Sequence, residues 1–201
     1  MFFCVVSMLF VVSVFSVVAA DAQIRKVNVS STNPFAVYTD NGNRRNNFYP
    51  SGWIGDFGDI RFTQAAPDAQ SGDTCIKISY SARSSQGAKW AGIYWQYPEG
   101  NWGQYPEAFD LTGATQLTFW ARGERGGEVV AAFKMGGIVG EFSDSDFVEI
   151  GPIRLKKTWR KYTINLKRKN LSRISGGFCV VFSKQDNPNG CVIFIDEIKY
   201  H

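Results

Sequence analysis

The sequence contains a single histidine, His201, and it is the last residue. A chain end is expected to fray, leaving that ring without a partner to hold it. A Ser-His-Asp or Cys-His catalytic site is therefore not expected. Cysteine is scarce as well, with only Cys4, Cys75, Cys179 and Cys191, and their scattered spacing does not suggest a zinc site. Charge is modest: 22 Lys and Arg against 18 Asp and Glu give a net +4, read here as spread without a basic stripe. No nucleic-acid reader motif is present, so nucleic acid is not an expected partner. Beyond the N-terminal region no stretch shows an apolar period of 3.6, which argues against a helical or βαβ fold.

The chain begins with an apolar run. From Phe2 to Ala20 only Ser7 and Ser13 interrupt it, and Ala20 and Ala22 provide the small-x-small spacing of a signal-peptidase site. Residues 1–22 are expected to be a signal peptide cut after Ala22, with Ala20 as the other choice and an uncleaved anchor as the alternative. The product is expected outside the cell or in the periplasm, with no membrane anchor, as a monomer. The remaining 179 residues suit one compact domain. Residues 23–34 read as a polar lead-in and residues 35–201 as the domain.

Short β-branched and aromatic runs fill that domain, separated by Gly, Pro, Asn and Asp. Runs at 36–39, 59–63, 74–81, 91–96, 116–122, 129–135, 162–166, 177–183 and 191–200 give about nine strands, which indicates a β-sandwich or barrel. Alternation assigns faces. Leu117, Phe119 and Ala121 would point into a core, sending Thr118, Trp120 and Arg122 outward; Ile93 and Trp95 would be core, with Tyr94 and Gln96 on the open side. After cleavage three thiols remain. GGFCVVF and GCVIFID, joined by the turn-rich SKQDNPN, read as a hairpin that pairs Cys179 with Cys191 and leaves Cys75 reduced. Buried unpaired thiols are the alternative.

The densest feature is KWAGIYWQYPEGNWGQYPEAFD, which carries Trp90, Tyr94, Trp95, Tyr97, Trp102 and Tyr105. Sugar rings offer apolar C–H faces and hydroxyl edges, so a sugar site needs flat aromatic platforms beside hydrogen-bonding side chains. Tyr94, Trp102 and Trp120 are the expected platforms, with Trp90 and Tyr105 at a strand edge and in a loop. Gln96, Arg122 and Lys134 would bond hydroxyls or an acidic sugar. A β-sandwich core uses aromatics too, and that competing use applies to each of these residues. Carboxylates are present for a glycosidase, among them Asp56, Asp59, Glu99, Glu107, Asp144, Asp146 and Glu149, but most sit in turn-forming contexts.

Three segments carry a family resemblance. AFDLTGATQLTFWARGE, KTWRKYTINLKRKNLSRISGGF and GCVIFIDEIKYH resemble the successive strands of galactose-binding-like, jelly-roll carbohydrate-binding modules, while NNFYPSGWIGDFGDIRF departs from any one such family. The resemblance implies an all-β jelly-roll sandwich that binds a polysaccharide or other glycan without catalysis. It also implies a structural calcium held by Asp196 and Glu197 of the last strand and completed by Asp40. Two other functions compete: a jelly-roll polysaccharide lyase or glycosidase working through Asp or Glu, and a structural or protein-interaction domain of an envelope or matrix.

Overall fold

The computed structural model describes residues 24–201, so the expected signal peptide 1–22 and its cleavage site lie outside the described residues. The described residues form fifteen strands: β1 Ile24–Lys26, β2 Phe35–Tyr38, β3 Tyr49–Gly55, β4 Ile60–Ala66, β5 Cys75–Tyr80, β6 Trp90–Gln96, β7 Ala108–Asp110, β8 Gln116–Gly123, β9 Val129–Val130, β10 Ala132–Gly136, β11 Phe147–Ile150, β12 Ile153–Arg154, β13 Arg160–Asn165, β14 Gly176–Ser183 and β15 Cys191–Tyr200. Two large sheets face each other. One runs β11-β10-β14-β6-β3, the other β13-β8-β15-β5-β4 with β2 added beside β15. This is the expected jelly-roll sandwich.

Alternation holds where both neighbours are central strands. Ala91, Ile93 and Trp95 of β6, Leu117, Phe119 and Ala121 of β8, and Phe178, Val180 and Phe182 of β14 interdigitate as one core, fully shielded from water. Phe178 is its hub, packing edge-on against Trp95 at 5.5 Å and Phe119 at 5.1 Å between ring centroids. Burial of rings this large is the main source of stability in such a sandwich.

β15 breaks alternation in a way that matters. Its register against β8 and β2 shifts in the Asp196–Lys199 segment, and Glu197 adopts a left-handed φ of 53°. Ile193 and Ile195 point into the core before this bulge, and Ile198 and Tyr200 do so after it. Without the extra residue the second pair would face outward.

Three expectations are corrected here. The polar lead-in is built into the fold, since β1 pairs in parallel with β7 and Val29 is buried. His201 does not fray: its carbonyl accepts N–H bonds from Thr115 and Gln116, its N–H donates to Gln116, and its Nε2 lies 2.9 Å from Thr118 Oγ1. Cys179 and Cys191 do not form a disulfide. β14 and β15 are not a hairpin but belong to opposite sheets, and Cys75, Cys179 and Cys191 are all free.

Candidate functional site

The outward face of the five-stranded sheet is assembled from alternate residues of its strands. β6 presents Trp90, Gly92, Tyr94 and Gln96 on that side, because the residues between them fill the core. Cross-strand pairing places Glu149, Lys134, Cys179 and Tyr94 in one row, and Ala132, Val181, Gly92 and Ile54 in the next. The second row has no large side chain at its middle. A Cβ on Gly92 would lie 2.7 Å from the Val180 carbonyl and 3.0 Å from the Ile54 side chain, so glycine is required there. The result is a flat step between Trp90 and Tyr94.

Trp90 stands at one end of this floor and is 40% exposed. At the other end Trp102, 39% exposed, meets the Tyr94 ring edge-on at 5.8 Å. From Trp90 to Tyr94 the strand advances by about 13 Å. The loop that carries Trp102 is organised from beneath. Asn101 is fully buried, donates to the carbonyls of Tyr97, Tyr105 and Glu107, and accepts N–H bonds from Gly103 and Tyr105. Gln96 ties this loop to the sheet: its Nε2 donates to the Asn101 carbonyl at 2.8 Å and its Oε1 accepts from Ser51 Oγ at 2.9 Å. Tyr105 is exposed on the same loop.

An open pocket of about 420 Å³ adjoins the Tyr94 end, lined by Tyr94, Lys134, Ile138, Val139 and Phe147 among others. Val139 and Phe147 are exposed apolar side chains with no counterpart in the sequence reading. Their runs, GGIVGEF and DSDFVEI, are short and irregular, and gave no periodic signal. Lys134 is paired with Glu149 at 2.9 Å and also lies over the Phe147 ring. The acids nearby are already engaged. Asp144 accepts N–H bonds from Ile138, Ser175 and Gly176, and burial still pushes its carboxyl above the usual range. Asp146 is held below that range by the N–H groups of Asn170 and Phe147 and by Lys169.

The sequence-predicted binding residues therefore separate into three groups. Trp90 and Trp102 stand exposed at the two ends of the open face, with Tyr105 on the Trp102 loop and Lys134 on β10. Tyr94 and Gln96 share that face but are buried, Tyr94 as part of the floor and Gln96 as a loop anchor, so neither offers a free platform or hydroxyl partner. Trp120 and Arg122 lie on the outer face of the other sheet. There the Arg122 guanidinium stacks on Phe194 at 3.8 Å and on Trp159 at 5.2 Å, and the Trp159 indole N–H bonds the Asp68 carbonyl. Alternation had put both residues outside correctly, yet it cannot say which sheet a strand joins.

The calcium ligands inferred from resemblance do not fit a cation. Asp196 is completely buried, and its Oδ2 accepts N–H bonds from Gln70 and Ser71 while Oδ1 accepts one from Glu197. Asp40 Oδ1 accepts from the N–H groups of Asp73 and Thr74 and from the Thr74 hydroxyl. Glu197 is paired with Lys199. Donor hydrogens already engage both Asp196 oxygens and Asp40 Oδ1, and among the described residues no group of three or more acids, histidines or cysteines is arranged to hold a metal. The two aspartates instead fasten the segment 70–74 to β15 and to the turn after β2.

No family model matches the sequence, and no curated protein matches it. Similar solved structures do exist. A family 30 carbohydrate-binding module from a cellulosomal cellulase of Clostridium thermocellum superposes with a TM-score of 0.56 at 12% identity, covering 84% of this chain and 96% of that one. Another family 30 module gives 0.52 at 13% identity over 84% and 98%. A family 29 module variant complexed with mannohexaose gives 0.50 at 10% identity over 87% and 92%. At such identities the likeness speaks for the fold, and the fold of this chain is the jelly-roll sandwich that carbohydrate-binding modules have.

Proposed function

We propose that this protein is an exported, non-catalytic glycan-binding domain that takes an extended, predominantly neutral polysaccharide chain along the open face of its five-stranded sheet. The observation that carries this reading is the pair of exposed tryptophans, Trp90 and Trp102, standing on one face at either end of the step made by Gly92 and Tyr94. Large flat rings kept in water at the two ends of an open floor suit stacking on separate sugar units of one chain. The names of the fold neighbours agree with such a ligand class.

The engaged state of Asp144, Asp146 and Glu149 supports binding over hydrolysis, because a glycosidase needs one carboxyl free to donate a proton and a second free to attack or to activate water. The test is calorimetric titration with neutral hexasaccharides of glucose, mannose and xylose. Trp90→Ala and Trp102→Ala are each expected to weaken binding by about tenfold to a hundredfold, with the melting temperature unchanged. Affinity retained in both variants refutes the groove. Turnover of a polysaccharide that vanishes in Glu149→Gln would establish an enzyme instead.

A further inference from the structure

A second cleft, about 670 Å³, shares no residue with the open-face pocket. It lies at the end of the six-stranded sheet, where the start of β4, the end of β5, the β8–β9 loop and the β14–β15 loop meet. Aromatics are almost absent from its lining. Arg61, Arg83 and Arg125 reach into it from three different elements.

Four acids share the cleft, and each is already answered. Asp59 accepts the Ser84 N–H at 2.7 Å, Glu124 pairs with Lys77 at 3.5 Å, Glu128 Oε1 accepts the Arg125 N–H at 2.6 Å, and Asp186 accepts the Ser183 hydroxyl at 2.9 Å. The three guanidinium groups, by contrast, have no carboxylate or carbonyl partner among the described residues. Tyr80 and Glu128, both in the lining, each carry a buried polar atom with no partner, the Tyr80 hydroxyl and Glu128 Oε2. Both atoms are shut off from solvent, the Tyr80 ring being stacked on Phe182 in the core, so the arginines are the groups the cleft offers.

The rim adds positive charge. The turn at Gly126, with a left-handed φ of 87°, packs on the backbone of Lys157, and Arg154 Nη1 donates to the Gly127 carbonyl at 2.8 Å. Between Glu149 and Asp186 the sequence has ten Lys and Arg and no Asp or Glu. The even spread of charge read from composition is thus corrected in part: ten of the 22 basic residues fall in one acid-free segment, and its first part borders this cleft.

We infer that the cleft is a second ligand site, one that takes the charged residue of an acidic glycan, with the carboxylate or sulfate group held in the forks of Arg61, Arg83 and Arg125. Guanidinium forks match planar or trigonal oxyanions in two-point contacts, which a neutral sugar does not supply. The site stands independently of the tryptophan groove.

The experiment titrates the full protein with a galacturonate hexamer, a sulfated hexasaccharide and a neutral glucose hexamer, at low and high salt. The triple variant Arg61→Gln, Arg83→Gln, Arg125→Gln is compared with the double variant Trp90→Ala, Trp102→Ala. Binding of at least one acidic oligomer is expected, weakened by about tenfold or more in the arginine variant and by added salt, and unchanged in the tryptophan variant. Single Arg125→Gln, on an exposed turn, repeats the measurement should the triple variant melt early. Whichever acidic oligomer binds separates carboxylate from sulfate recognition. The inference is overturned if neither binds, if the arginine variants bind as well as the native protein, or if the tryptophan variant loses acidic binding. It is also overturned if a single-stranded oligonucleotide of equal charge competes at equal concentration, since the surface would then read charge alone.

Discussion

Asp196 shows what one buried carboxylate costs and how this fold meets the cost. Removal from water pushes its pKa up from 3.8 to about 6, although three backbone N–H groups act in the opposite direction. Because the native state holds this proton more tightly than the unfolded chain does, the group's stabilising contribution is fully present below about pH 4 and is lost as pH rises through about 6. Two pKa units set an upper bound of about 3 kcal/mol on it. Asp40 and Asp146 shift downward, so their contributions are lost only at lower pH, as it falls below the ordinary carboxylate value. The melting temperature is therefore expected to rise between pH 7 and pH 5, and to rise less in Asp196→Asn; equal slopes for both proteins would show that Asp196 does not titrate in this window. EDTA is expected to leave both curves in place, since N–H donors rather than a cation surround the carboxylate.

Among the elements, the central strands were the most readable in the sequence; of the sheet edges, β4 and β13 were read in part and β3 and β11 were not. β5, β8, β14 and β15 were found almost to the residue, because an interior strand of a sandwich must bury one face and so must alternate. β3 was missed. Its YPSGWIG has a proline and two glycines, which speak against a strand, but at the edge of a sheet Pro50 needs no second ladder partner and a bulge between Pro50 and Gly52 absorbs the misfit. The cysteine pairing failed for a related reason: a turn-rich link between two strands looks the same whether they pair with each other or cross between sheets. The fold instead encloses Cys75 and Cys179 and leaves Cys191 partly exposed. Burial pushes Cys75 up to about 11 and Cys191 up to about 12, and pushes Cys179 up further still. Alkylation at pH 8 is expected to spare Cys75 and Cys179 in the native protein and to reach all three after denaturation, because the reactive species is the thiolate. A pair of thiols that resists alkylation in denaturant until a reductant is added would restore the disulfide.

On the scale of the whole molecule, a sandwich has two outward faces, and only one of them is open here. The aromatic cluster from Trp90 to Tyr105 was visible in the sequence as a candidate site, and two of its tryptophans stand exposed on the open face. What was not visible was that Trp120 and Arg122 belong to the opposite sheet, since strand order is a long-range property of the fold. On that second face the Arg122 guanidinium lies over both the Phe194 and Trp159 rings, Lys77 also lies over Phe194, and the Trp159 indole N–H donates to the Asp68 carbonyl, so cation–π contacts are satisfied within the protein. Trp120 is half-buried beside them and pairs across to Asp196 and Lys161. Truncating it removes packing near the Asp196 bulge and does not reach the groove. Trp120→Ala is accordingly expected to lower the melting temperature while leaving affinity for a neutral hexasaccharide at the native value, the reverse of the result expected for Trp102→Ala. A titration and a melting curve on the two variants side by side distinguish the faces. If Trp120→Ala abolishes binding at unchanged stability, the ligand lies on the six-stranded sheet, and the groove between Trp90 and Trp102 is not the site.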